Sequence, residues 1–169
     1  MTLSVLDIIE GTSVDGPGLR TAIYFSGCNH HCEGCHNRKS WDIEAGKQVS
    51  IDDIIKIVAY NDFNVTFSGG DPFFQHDNVQ ILAQRIRNEL HKTIWCYTGY
   101  VWEDIVNDNS LNGLLNFIDV LVDGPFLINL RNTSLRFRGS SNQRIIDVNG
   151  SLASGSVKLW CDCDFSTLP

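Results

Sequence analysis

The chain has 169 residues, 43% of them hydrophobic, and a formal net charge of -7. That length fits one domain on a prior of about 100 to 200 residues per domain, and it buries a sizeable core, since a domain near 150 residues hides about 70% of its unfolded surface. The acidic balance, with lysines and arginines scattered, argues against nucleic acid or an anionic membrane as the main partner, because both reward clustered cations.

At the amino terminus, residues 1–7 lack the basic-then-apolar layout of a signal peptide. No later run approaches the ~18 apolar residues of a membrane span, so a cytoplasmic protein is expected. In a reducing compartment its six cysteines serve as ligands or buried thiols rather than disulfides. Residues 5–9 and 21–25 read as short strands separated by the tight turn Asp15-Gly16-Pro17-Gly18. The loop after the second strand carries Cys28, Cys32 and Cys35.

A helix starts at Ser50, which caps it, with Asp53 at the capping-box position and Ile51, Ile54, Ile55 and Val58 at helical spacing. Residues 63–67 form a strand running into Ser68-Gly69-Gly70-Asp71-Pro72. The next helix shows Val79, Leu82, Ala83, Ile86 and Leu90 on one face. A strand over 93–97, helical pieces over 102–106 and 111–115, and a strand over 117–122 follow. This alternation predicts a parallel sheet with crossover helices. A complete eight-unit barrel takes about 250 residues, so the room is for a partial, open (β/α) barrel or a small doubly wound sheet. In both, ligands gather at the carboxyl ends of the strands, where the cysteine loop and the Gly-Gly-Asp-Pro loop would share a rim. Residues 144–148 are a further predicted strand, and residues 151–156 read as small and flexible.

The C-x3-C-x2-C spacing places three thiolates within reach of one centre, which suits an iron–sulfur cube whose fourth iron stays free for another ligand. A structural zinc site wants four protein ligands, often as two separated C-x2-C pairs, and this loop holds one such pair. The zinc alternative recruits His30, His31 or His36, or the later Cys161 and Cys163. Cys96, inside an apolar strand, reads as a buried thiol.

This cysteine loop after an early strand, with a Gly-Gly-acid-Pro loop one βα unit later, resembles the radical S-adenosylmethionine enzymes. Asp15-Gly16-Pro17-Gly18, Cys35-His36-Asn37, Ser68-Gly69-Gly70-Asp71-Pro72, Tyr97-Thr98-Gly99-Tyr100, Val122-Asp123-Gly124-Pro125-Phe126 and Arg138-Gly139-Ser140-Ser141-Asn142-Gln143 are similar to the activating proteins of anaerobic ribonucleoside-triphosphate reductase. The similarity spans residues 5–148, and the Arg-Gly-Ser-Ser-Asn-Gln stretch narrows it to these activases.

The resemblance implies an open (β/α) barrel domain over residues 1–150 with a C-terminal tail over 151–169. It implies that Cys28, Cys32 and Cys35 bind a 4Fe-4S cluster whose fourth iron is chelated by S-adenosylmethionine. Reductive cleavage of that molecule would yield a 5'-deoxyadenosyl radical, which takes a hydrogen atom from a glycine of the reductase. The electron would come from a donor such as flavodoxin. Gly69 and Gly70 would let backbone approach the methionine moiety, and Asp71 would accept from its ammonium or pin the loop. Gly34 stands where many such enzymes carry an aromatic residue, so adenine would lean on backbone from Gly34 through Cys35 to His36, or on Tyr97 and Thr98. Asp123 would bind a cation or the cofactor, or simply form a turn. Arg136, Arg138 and Arg144 form either a docking surface or a solvated basic face. Alternative functions are activation of another glycyl-radical enzyme such as pyruvate formate-lyase, a zinc-stabilised binding module, and an iron–sulfur electron carrier.

Overall fold

A computed structural model describes residues 1–161, so Cys163 lies outside the described residues. The strands are β1 (Thr2–Thr12), β2 (Arg20–Phe25), β3 (Lys47–Ser50), β4 (Asn64–Gly69), β5 (Ile94–Tyr97), β6 (Val120–Asp123) and β7 (Arg144–Asp147). The α-helices are α1 (Ile51–Asn61), α2 (His76–Leu90), α3 (Trp102–Asn107) and α4 (Val148–Ser154). All seven strands join one open sheet in the order β3-β1-β2-β4-β5-β6-β7.

The expectation of a parallel sheet holds only in the middle. β2, β4, β5 and β6 are parallel, while β1 lies antiparallel between β2 and β3, and β7 is antiparallel to β6. Connections explain the difference. Helix-containing crossovers join the four central strands, whereas the Gly-Pro turn between β1 and β2 is too short for anything but a hairpin.

Strand alternation sorts the side chains onto two faces. Ile23, Phe25, Val65, Phe67, Ile94, Cys96, Leu121 and Ile146 point into the main core, where they meet Ile54, Ile55 and Val58 of α1 and Val79, Leu82, Ala83 and Ile86 of α2. Trp95, Val120 and Val122 point the other way, beside Tyr97, Phe137, Ile145 and Trp160. Both helix signals act as expected. Ser50 Oγ accepts from the Asp53 amide at 3.1 Å and donates to its carboxylate at 2.7 Å, and the helix stops where Asp62 turns left-handed at φ 59°.

Several sequence expectations need correction. The piece read as helical over 111–115 is a 3-10 turn, Asn112–Phe117, and the strand after it starts only at Val120. Asp119 delays it, because its carboxylate accepts from the Ile94 amide at 2.7 Å and pairs with Arg87. Ser151 to Ser154, read as flexible, belong to α4, where Asp147 caps the Gly150 amide. Further on, Leu159 bridges to Ile146 and Trp160 meets Trp95 edge-on at 5.1 Å. Cys161 is disulfide-bonded, against the expectation of ligands or buried thiols rather than disulfides. Among the described residues, no helix is long and apolar enough to cross a membrane.

Candidate functional site

The loops leaving the carboxyl ends of β2, β4, β5 and β6 surround one cavity. The first is the cysteine loop, fixed at its base by two backbone bonds, Gly27 N–H to Ser40 O at 2.7 Å and Cys28 N–H to Trp41 O at 3.2 Å. The second, after β4, is bonded directly to the first: the Gly70 amide donates to Phe25 O at 2.7 Å and the Asp71 amide to Gly27 O at 2.8 Å. The two glycines owe their identity to this contact. A Cβ on Gly69, whose φ is +99°, would lie 2.5 Å from Phe25 N, and one on Gly70 would lie 2.4 Å from Gly27 O. The close approach that demands glycine is therefore backbone on backbone.

Asp71 is buried and ties three of these loops together. Its carboxylate accepts from the Phe73 amide at 2.9 Å, the Thr98 hydroxyl at 2.9 and 3.0 Å, the Gly99 amide at 2.9 Å and His30 Nε2 at 2.7 Å. A carboxylate with about four acceptor sites is filled by such partners. Of the two roles weighed for it, this geometry is that of pinning the loop.

The cavity measures about 460 Å³ and opens between the loops, with Cys28, Cys32 and Cys35 all on its wall. That is a size typical of small-molecule sites, which run from about 300 to 1,000 Å³. The three thiols are half-buried and free. Burial pushes the Cys28 thiol up to about 11, while the backbone amides of His30 and His31 act in the opposite direction. Among the described residues, no group of three or more His, Cys, Asp or Glu side chains closes around a single metal ion.

Of the residues picked out from sequence, Cys35, His36, Gly69, Gly70, Tyr97 and Thr98 line this cavity. Gly34, Asp71 and Asp123 do not. Gly34 has φ +73° and lies under Ile128, whose Cδ1 would be 2.7 Å from an added Cβ. Asp123 is buried at the end of β6, where it accepts from the Trp102 amide at 2.8 Å and from Arg144 Nε at 3.1 Å. Arg144 is equally occupied, since its other nitrogens reach Glu103 at 2.7 and 3.0 Å. It is a brace between β7, β6 and α3, not a free docking group. Arg138 lines the cavity and donates to Gln143 O at 2.7 Å, and Arg136 lies over the Phe137 ring at 5.0 Å.

Several wall residues escaped the sequence reading. Asp15, whose carboxylate accepts from the Tyr24 hydroxyl, is the only carboxylate among the described wall residues. Trp41, Phe126 and Phe137 supply aromatic surface. Phe126 and Phe137 come from a strap after β6 that is closed by side-chain amides. Gln143 donates to Gly124 O at 3.0 Å and accepts from the Gly139 amide at 2.8 Å, while Asn142 donates to Pro125 O at 2.8 Å. The Ser-Asn-Gln stretch is thus the clasp of the strap. Gly124 before Phe126 and Gly139 after Phe137, with polar residues able to turn back on them, are the signal that could have found it.

Residues 14–146 match the family model described as a 4Fe-4S single cluster domain, and the three cavity thiols lie inside that match. Similar proteins include the anaerobic ribonucleoside-triphosphate reductase-activating protein of Haemophilus influenzae, 39% identical over 144 residues that cover 78% of this chain and 90% of the relative. Its counterpart in Escherichia coli K12 is 38% identical over 77% of this chain and 89% of its own, and that of Enterobacteria phage T4 is 34% identical over 78% and 86%. The chain belongs to the family of anaerobic ribonucleoside-triphosphate reductase-activating proteins.

Proposed function

We propose that this chain holds a 4Fe-4S cluster on Cys28, Cys32 and Cys35, binds S-adenosylmethionine in the adjoining cavity, and installs a glycyl radical on anaerobic ribonucleoside-triphosphate reductase. Three cysteine thiols opening onto one cavity at the carboxyl rim of a parallel β2-β4-β5-β6 core carry this reading. With it goes the view of the sheet as a partial, open (β/α) barrel of the radical S-adenosylmethionine type over residues 1–150, with 151–169 as its tail, acting in the cytoplasm. The relatives' name supplies the target.

When bound, the cluster and S-adenosylmethionine supply one-electron cleavage of a carbon–sulfur bond, with an electron from a donor such as flavodoxin, and a carbon radical able to take hydrogen from glycine. The protein's contribution is orientation and exclusion of water. Cys28, Cys32 and Cys35, all on the cavity wall, would hold three irons of the cluster. Asp15, kept in place by Tyr24, presents a carboxylate to a cationic ligand. Phe126 and Trp41 give a purine apolar surface, which Gly34, off the cavity wall, does not. His36, Tyr97 and Thr98 complete the wall, while Asp71 and Asp123 hold the loops behind it.

The test is anaerobic reconstitution followed by dithionite and S-adenosylmethionine, with and without the reductase. Deoxyadenosine and, with the reductase, a glycyl radical in the electron paramagnetic resonance spectrum are expected; Cys32→Ala gives neither. A brown protein that leaves S-adenosylmethionine intact would instead be an electron carrier, and a colourless protein retaining metal in air would be a zinc module.

A further inference from the structure

We infer that a groove beside the cysteine loop is the docking site for an acidic one-electron carrier protein, which delivers its electron from outside the cavity and leaves the cavity free for the target. This deepens the proposed function and rests on the reading that Cys28, Cys32 and Cys35 hold a cluster.

The groove measures about 550 Å³ and runs between residues 30–33 of the cysteine loop and residues 125–130 of the strap. Cys32 stands on its wall and also on the wall of the cavity, so the two hollows meet at one of the three thiols. The strap side is apolar and open, with Leu127, Ile128 and Leu130 exposed by 43%, 38% and 42%. A fixed turn presents these side chains. The Leu130 amide donates to Leu127 O at 2.9 Å, the Ser141 amide to Leu130 O at 2.9 Å and the Asn132 amide to Gly139 O at 3.2 Å. An apolar centre held in this way within a charged rim is the anatomy of a docking patch.

Charge selects the occupant. Residues 28–41 and 124–146, which frame the cavity, hold six of the chain's 13 lysines and arginines but only one of its 20 acids, Glu33. Arg144 is spent on Asp123 and Glu103, but Arg38, Lys39, Arg131 and Arg136 are exposed. The fold thus gathers cations scattered along an acidic chain around one mouth, where they attract an acidic partner. A glycine has to enter the cavity to meet a radical formed there, whereas an electron needs only proximity to the cluster. The groove offers that proximity at Cys32, and it suits the small contacts of electron-transfer partners, which bury less than about 1,200 Å². In the transfer the carrier is oxidised by one electron, the cluster is reduced by one, and no bond is broken.

The experiment uses the reconstituted full-length protein after iron and sulfide have been assayed, with flavodoxin as the carrier. Two readouts are taken: affinity for flavodoxin at low salt, and deoxyadenosine formed with reduced flavodoxin or with dithionite, which needs no docking. Arg131→Glu and Leu130→Glu are expected to weaken flavodoxin binding roughly tenfold and to lower the flavodoxin-driven yield, while the dithionite-driven yield stays at the parent's level. Arg131→Lys, which keeps the charge, and Tyr60→Glu, at an exposed site on α1, should behave as the parent. Added salt should weaken parent binding more than that of Arg131→Glu. Parent-like affinity in both groove variants overturns the proposal, as does a parent that flavodoxin neither binds nor reduces. Variants that bind flavodoxin normally but lose affinity for the reductase would assign the groove to the target and overturn it too. Where a groove variant also loses dithionite-driven cleavage, its affinity relative to Tyr60→Glu decides. Parent protein without iron and sulfide, or inert with dithionite, would instead defeat the underlying reading of the three cysteines.

Discussion

The outer face of the sheet meets α1 and α2 through aliphatic and phenylalanine side chains, whereas the inner face carries Arg20, Tyr24, Thr66, Trp95 and Tyr97. Alternation along the same strands produces both. The outer face gains from simple burial, which contributes roughly 25 cal/mol per Å² of apolar surface, and asks nothing of direction. Although the buried Trp95 Nε1 has no partner among the described residues, the inner face needs partners for the polar atoms it hides. Arg20 shows how: its Nε donates to Thr66 Oγ1 at 2.8 Å, its Nη2 to Val65 O at 2.7 Å, and Thr66 Oγ1 in turn donates to Asp15 O at 2.8 Å. Burial lowers the Arg20 pKa to about 10, and the hydrogen bonds tie the turn holding Asp15 to the sheet. One face stabilises, and the other arranges a cavity.

The largest effect that tests this division comes from the outer face. Leu82→Ala, at a fully buried position of α2, is expected to cost about 2–5 kcal/mol in urea unfolding while leaving reconstituted iron content and deoxyadenosine yield per folded molecule unchanged. A fall in yield per folded molecule would show that the faces are coupled. Gly70→Ala comes next. The backbone oxygens of Gly27 and Ser40, 2.4 and 2.8 Å from the added Cβ, have to move, at about 1–3 kcal/mol for an overpacked site. Iron retention should fall out of proportion to stability, because the displaced backbone carries Cys28. Equal retention by parent and variant would show that the two loops are not a unit.

Smaller again is Ser50→Ala, which removes the α1 cap at a cost of about 1 kcal/mol and should leave the cavity untouched. Its value lies in calibrating the outer face, since the cap was legible in the sequence to the residue. So were the buried stripes of α1 and α2 and the meeting of the cysteine and glycine loops at the strand ends, because each rests on local periodicity or on a connection rule. Less legible was β3, whose four residues Lys47–Ser50 show no alternation of apolar and polar groups and are ordered by pairing with β1. The site divides in the same way. The thiols announce themselves by spacing, but Gly69 and Gly70 are explained by contacts with residues some forty positions earlier, and Asp71 by Thr98, Gly99 and His30. Asp15 and Phe126 reach the cavity through folds of the chain that no local pattern encodes.

The smallest expected effect concerns protons on buried groups of the sheet. Burial, and then the charge of Asp15, raises the Tyr97 pKa, and burial likewise raises that of Tyr24 and carries Cys96 well above the ordinary thiol range. In each case the folded protein keeps a proton that the unfolded chain gives up at about 8.5 for a cysteine and about 10 for a tyrosine. Stability from these groups is therefore fully present below those values and declines as pH rises through them towards the folded pKa. Urea midpoints of the cluster-loaded protein should accordingly hold steady to about pH 8 and slope downward from about pH 9 to 10.5. Tyr97→Phe removes one of the three protons and should make that slope shallower, leaving the contribution of Cys96, on the opposite face, in place. A slope identical in parent and variant would mean that Tyr97 is as well solvated as a free phenol, and the inner face would then be wetter than its packing against Trp95 and Phe137 implies.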